Sequence, residues 1–124
     1  MSKILYTEDH EWVQINDDGS VTVGITEHAQ DTLGDVVFVE LPEVGRHYAQ
    51  KDAAGVVESV KAAADVYMPL DGTVTAVNDT LTAEPSTVNS SPLGEGWFFR
   101  VQPSDASQLD GLMTAEAYAA LIEG

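Results

Sequence analysis

The chain has no cysteine and only five lysines and arginines in 124 residues. Without cysteine there is no disulfide, no thiolate nucleophile and no cysteine metal site. Any sulfur redox chemistry has to be brought in by a cofactor. Against the five cations stand 21 carboxylates, for a formal net charge of -16. Phosphate backbones and anionic lipid head groups are repelled by such a surface, so neither nucleic acid nor membrane is an expected partner. Basic protein surfaces are favoured instead, and like charge also keeps copies of the chain from sticking to one another. No stretch is apolar for long enough to span a bilayer. The start, Met1 to Leu5, leads into foldable sequence without a signal-like segment. A bacterial-type cytoplasm and a monomeric state are expected. The three histidines, His10, His28 and His47, are scattered, and His10-Glu11-Trp12-Val13-Gln14 lacks the second histidine of a zinc-protease motif. No metal site is expected. No glycine-rich segment continues into the Gly-Lys-Ser/Thr of a phosphate loop.

Apolar residues make up 44% of the chain, enough for one packed core in a domain of this length. Most of the chain reads as strands. Glu11 to Ile15 and Ser20 to Ile25 flank Asn16-Asp17-Asp18-Gly19, whose Asp-Gly pair suits a tight hairpin turn. Thr26 is placed to cap a short helix, Glu27 to Leu33, with Gly34 as its stop. Asp35 to Leu41, dense in β-branched residues and closed by Pro42, reads as a buried strand. Val56 to Val60 and Val66 to Leu70 are further strands, and Asp71-Gly72 reads as a turn before Thr73 to Val77. The stretch Thr80 to Gly96 reads as a loop, and Trp97 to Val101 as a late strand closing the core. Ser104-Asp105 and Thr114 can cap two C-terminal helical pieces. In the second, Tyr118, Leu121 and Ile122 share one apolar face.

Lys61 stands out. Between Lys51 and Arg100 it is the only cation, and it sits between two strand-like runs with Ala62 and Ala63 directly after it. A lysine at the tip of a hairpin is open to an enzyme on all sides, while the strands fix its position. Glu58 and Asp65 flank it with negative charge and offer no competing amine. A free lysine is charged and unreactive near neutral pH. Acylated, it becomes a neutral amide able to carry a long arm, and a tethered arm meets several active sites at high effective concentration. An ordinary solvated lysine on a hairpin fits the local motif equally well. Biotin carriers place methionine on both sides of their lysine, whereas the neighbours here are Val60 and Ala62, which favours lipoate.

The segments Asp35 to Pro42 and Val57 to Ala62 together resemble the H-protein family of the glycine cleavage system. Tyr6-Thr7-Glu8-Asp9-His10-Glu11-Trp12-Val13 and Gly24 to Gln30 are similar to further signatures of that family, and the likeness runs from Tyr6 to Leu121. It implies a mainly β fold, a lipoyl/biotinyl-type barrel-sandwich hybrid with a short early helix and C-terminal helices. It also implies one lipoyl-carrier domain over 1–124, divided into an N-terminal hairpin extension (about 6–25), a core (about 26–101) and a C-terminal helical segment (about 104–123). By the same resemblance, lipoate is bound to Lys61 as N6-lipoyl-lysine. The arm shuttles the aminomethyl group of glycine between a pyridoxal-phosphate glycine decarboxylase, a tetrahydrofolate-dependent aminomethyltransferase and dihydrolipoyl dehydrogenase. A lipoylating enzyme loads it. The chain is then a carrier and not a catalyst; the alternative within the same fold is a donor of lipoate to other lipoyl domains. The family shelters its loaded arm in a cleft, which makes Glu11 and Asp65, with His10 beside them, the expected contacts. Three positions depart from the family's usual residues: Ala64 in place of serine, Met68 in place of a small polar residue, and Leu93 in place of an aromatic.

Overall fold

The computed structural model describes residues 3–123. Nine strands and four α-helices follow in the order β1 (Lys3–Tyr6), β2 (Glu11–Ile15), β3 (Val21–Ile25), α1 (Glu27–Leu33), β4 (Val36–Glu40), β5 (His47–Tyr48), β6 (Ala53–Ser59), β7 (Ala63–Tyr67), β8 (Gly72–Val77), α2 (Thr80–Ala83), α3 (Thr87–Ser90), β9 (Phe99–Pro103) and α4 (Ala115–Glu123). A 3₁₀ turn over Ala106–Gly111 precedes α4. The strands form a six-stranded sheet, β1-β2-β3-β9-β8-β5, and a three-stranded sheet, β4-β6-β7. Every pairing is antiparallel.

Alternation puts Val13, Val21, Val23, Val74, Phe99 and Val101 of the larger sheet against Val39, Val57 and Val66 of the smaller one, all at most 1% exposed. Met68, Leu70 and Phe98 complete this layer. Met68 is fully buried, so the polar-to-apolar departure at that position is a core substitution. The turn after β2 forms as expected, with Gly19 at φ 89 and the Asp18 carboxylate accepting the Ser20 N–H. Strand β3 pairs on its far side with β9, so the N-terminal hairpin is built into the larger sheet and does not stand outside it. Helix α1 also matches: Thr26 accepts the Ala29 N–H and Gly34 ends the helix.

Four expectations need correction. The strand after α1 is a sheet edge, not a buried strand: Val37 and Phe38 are about half exposed, and a register shift against β6 lies between Val36 and Phe38. Thr80 to Gly96 is not a plain loop. It folds α2 and α3, which bury Leu81 and Val88, and Trp12 Nε1 pins it by donating to the Pro92 carbonyl at 2.9 Å. Asp71-Gly72 is not a hairpin turn either, because β7 and β8 lie in different sheets and Gly72 is already paired with Pro103. On α4 only Tyr118 is buried; Leu121 and Ile122 stay exposed, so the apolar face is anchored by one ring.

Candidate functional site

Lys61 lies in the two-residue gap between Ser59 and Ala62, at the tip of the β6–β7 hairpin, and is exposed. The tip is tight. The Ser59 N–H donates to the Ala62 carbonyl at 2.7 Å, and Ser59 Oγ accepts the N–H groups of Lys61 and Ala62 at 3.2 and 3.0 Å. Pairing therefore resumes at once with Ala63 opposite Glu58, three residues earlier than strand propensity suggests. The tip is also tied sideways, since the Val60 N–H donates to the Asp35 carbonyl at 3.0 Å.

The lysine stem rests on Gly34. A Cβ at that residue would fall 2.9 Å from Lys61 Cε and 3.6 Å from Nζ, and Gly34 adopts φ 80. The left-handed backbone is what favours glycine here; a larger residue would also displace the flexible end of the lysine from this position. Leu33 and Thr32, just before it, line a cavity of about 210 Å³. Its apolar wall is Ile25, Ala29, Leu33 and Val57; its polar groups are Asp9, His10, Glu11, His28 and Asp65. Asp65 thus meets the sequence neighbours His10 and Glu11 around one cleft, whose lining residue Leu33 directly precedes the Gly34 beneath the lysine stem. Glu58 does not join them. It stands opposite Ala63 and Phe38 on the hairpin.

Glu11 is 1% exposed. Its carboxyl accepts the Thr7 hydroxyl at 3.1 Å and the Tyr67 N–H at 2.6 Å. Burial pushes its pKa up to about 8, against the pull of those two hydrogen bonds, which favour the ionised form. The acid is therefore largely neutral at pH 7. It also borders a second cavity, of about 250 Å³, on whose wall Lys51 makes exposed ion pairs with Glu8 and Asp9 at 3.3 and 3.4 Å.

The histidines that look scattered in sequence do not stay apart. The rings of His10 and His28 lie 4.8 Å from each other. Burial, and then the neighbouring His28, lower the His10 pKa, with Asp9 opposing. His10 Nδ1 shares a hydrogen bond of 2.8 Å with the Tyr118 hydroxyl, which also meets Thr26 Oγ1 at 2.6 Å. Tyr118 stacks on Tyr6 with centroids 4.8 Å apart. A helix from the far end of the chain thereby holds His10, which lines the cleft, through the Tyr118 hydroxyl. Sequence reading missed His28, Asp9 and Tyr118 as site residues. For His28 the signal was available: it lies in the same Gly24 to Gln30 segment that carries part of the resemblance.

No group of three or more histidine, cysteine or carboxylate residues suited to a metal ion occurs among the described residues. An exposed lysine, room beneath its stem, and an adjoining cleft with apolar walls and carboxylates fit a long alkyl arm ending in a cationic group.

The comparisons with known proteins agree. The family model described as Glycine cleavage H-protein matches residues 4–124. A glycine cleavage system H protein of Teredinibacter turnerae is 57% identical over 122 residues, covering 98% of this chain and 94% of the relative. One of Chromobacterium violaceum is 58% identical over 118 residues, covering 95% and 92%. The crystal structure of a glycine cleavage system H protein from Mycobacterium marinum superposes with a TM-score of 0.90 at 39% identity, covering 98% of both chains. Its likeness bears out the mainly β, barrel-sandwich architecture expected from the sequence. The chain belongs to the glycine cleavage H-protein family, the lipoyl carriers of the glycine cleavage system.

Proposed function

We propose that Lys61 is the residue to which lipoate is attached, as N6-lipoyl-lysine, and that residues 1–124 act as one lipoyl-carrier domain. The carrying observation is the placement of an exposed lysine over Gly34, next to a cleft that gathers Glu11, Asp65 and His10. Bound there, lipoate supplies a dithiolane that exchanges sulfur bonds. The rest of the work falls to this chain's own residues.

Lys61 holds the arm at an exposed tip, braced on one side by the α1–β4 connection. Gly34 leaves the stem free to swing toward the cleft. Ile25, Ala29, Leu33 and Val57 take the alkyl part and keep water out. The aminomethyl cargo carries an amine that is protonated at neutral pH. Glu11 and Asp65 hold that ammonium, with His10 neutral beside them so that no second cation competes. Glu11 gives up its proton when the ammonium arrives, because an adjacent cation favours the carboxylate. The chain catalyses no step alone. It presents the arm in turn to glycine decarboxylase, aminomethyltransferase and dihydrolipoyl dehydrogenase, after loading by a lipoylating enzyme. We place this work in a bacterial cytoplasm, as the bacterial relatives support.

The test is glycine-dependent exchange of labelled bicarbonate, with glycine decarboxylase and the lipoate-loaded chain. The wild type sustains the exchange and Lys61→Arg abolishes it. Exchange at the wild-type rate with Lys61→Arg would refute the assignment.

A further inference from the structure

The turn that carries Lys61 does not stand on its own strands alone. It leans on the α1–β4 connection: Val60 donates to the Asp35 carbonyl, and the Lys61 stem crosses Gly34. That connection is held by one side chain from elsewhere in the sequence. Asn89, on α3, donates from Nδ2 to the Gly34 carbonyl at 2.8 Å and to Gln30 Oε1 at 3.0 Å. Its Oδ1 accepts the Val36 N–H at 2.8 Å. Both donors and the acceptor of one amide are thus spent on the segment from Gln30 to Val36. The Asn89 side chain hydrogen-bonds neither Lys61 nor any residue that lines the cleft.

The geometry points to a role for this clamp: we infer that Asn89 is a positioning residue for the acylation of Lys61, fixing the platform from which the amine is presented. This rests on the reading of Lys61 as the attachment site. In the step itself, the neutral Lys61 amine attacks the acyl carbon of an activated lipoyl donor, a mixed anhydride or thioester. A C–N bond forms, the bond to the donor's leaving group breaks with its electron pair, and the amine's surplus proton passes to base or solvent. An acylating enzyme must bring the amine within attacking distance at a fixed angle, and an unclamped platform spreads the tip over many positions. Side chains remote from chemistry matter to rate in this way, through misplacement of the reacting atom.

The bonding pattern separates this role from plain stability. Asp at position 89 keeps the acceptor for the Val36 N–H and loses both donors. Val88, the adjacent residue, is fully buried but makes none of these bonds. Removing its side chain weakens the fold without touching the clamp.

The experiment follows lipoylation of the full-length chain by a lipoate ligase with lipoate and ATP, reading initial rates by mass spectrometry. The proteins are wild type, Asn89→Ala, Asn89→Asp and Val88→Ala. Amide exchange at Val60 is measured on the same samples. Asn89→Ala is expected to lower kcat/KM by about tenfold or more, within the range seen for misplaced reacting groups. Asn89→Asp falls between it and wild type, and Val88→Ala loads at the wild-type rate although its Tm drops. The Val60 amide exchanges faster in both Asn89 variants and is unchanged in Val88→Ala. Wild-type kcat/KM in a folded Asn89→Ala or Asn89→Asp would overturn the inference, as would an equal loss in Val88→Ala. Failure of the wild type itself to load at Lys61 would instead refute the attachment-site reading on which the inference stands.

Discussion

The carboxyl of Glu11 takes the backbone N–H of Tyr67 at 2.6 Å, joining the six-stranded sheet to the end of the strand that carries Asp65. One buried acid thus both links the two sheets and faces the cleft. The same bond ties Glu11 to the strand whose Asp65 lines the same cleft.

Glu11 makes stability depend on pH in a stated direction. Its carboxyl is raised in the folded state, from 4.5 to about 8, mainly by burial. Its contribution is fully present below the unfolded value and is lost as pH rises through the folded one. The protein therefore weakens between about pH 4.5 and 8 on account of this group. The full effect is on the order of a few kcal/mol as an upper bound. Glu11→Gln, which cannot ionise, is expected to flatten that part of the profile and to melt above the wild type at pH 8.5. Calorimetric scans of both proteins from pH 5 to 9 check it; parallel profiles would contradict it.

If Glu11 holds the cargo as proposed, the same group makes its shelter pH-dependent. Below about pH 8 the incoming ammonium must expel a proton from Glu11 before pairing with it. Hydrolysis of the aminomethyl-loaded protein is therefore expected to slow as pH rises toward 8, beyond the intrinsic pH effect on a free aminomethyl thiol adduct. Glu11→Gln removes this extra dependence and shortens the half-life at pH 8. Loss of the aminomethyl mass with time, for both proteins and a small-molecule control, reads it directly. An unchanged half-life in the variant would remove Glu11 from the cleft's function.

Tyr118 is the only buried residue of α4, and its hydroxyl serves both His10 and Thr26. Tyr118→Phe keeps the stacking on Tyr6 and strips both hydrogen bonds. Leaving partly buried partners unpaired costs about 1–3 kcal/mol. The melting temperature is expected to fall by several degrees. Amide exchange is expected to rise most within residues 115–123, because nothing else on that helix is buried. A uniform rise across the chain would mean that the hydroxyl supports the whole core instead.

Much of the fold was legible where one residue decides the local conformation. Thr26 and Gly34 set both ends of α1, Asp18-Gly19 sets a hairpin, and the gap around Lys61 sets the tip. Legibility failed where distant partners decide. Val37 and Phe38 read as core, yet β4 has a sheet neighbour on one side only and both stay half exposed. Thr80 to Gly96 looked like a loop because its prolines and small polar residues hide Leu81 and Val88, which are buried only once Trp12 and Asn78 hold the segment. The site divides in the same way. Glu11, Asp65 and His10 came from the resemblance to the family. The burial of Glu11 was unreadable, since a carboxylate beside Glu8 and Asp9 reads as surface. Tyr118 lies 108 residues from His10, and no local pattern connects them.

The most direct test of the account is the intact mass of the protein produced in a cell able to lipoylate, followed by peptide mapping. One lipoyl adduct is expected, on Lys61 and on neither Lys3 nor Lys51. An unmodified Lys61 in the presence of a working ligase and free lipoate would contradict it.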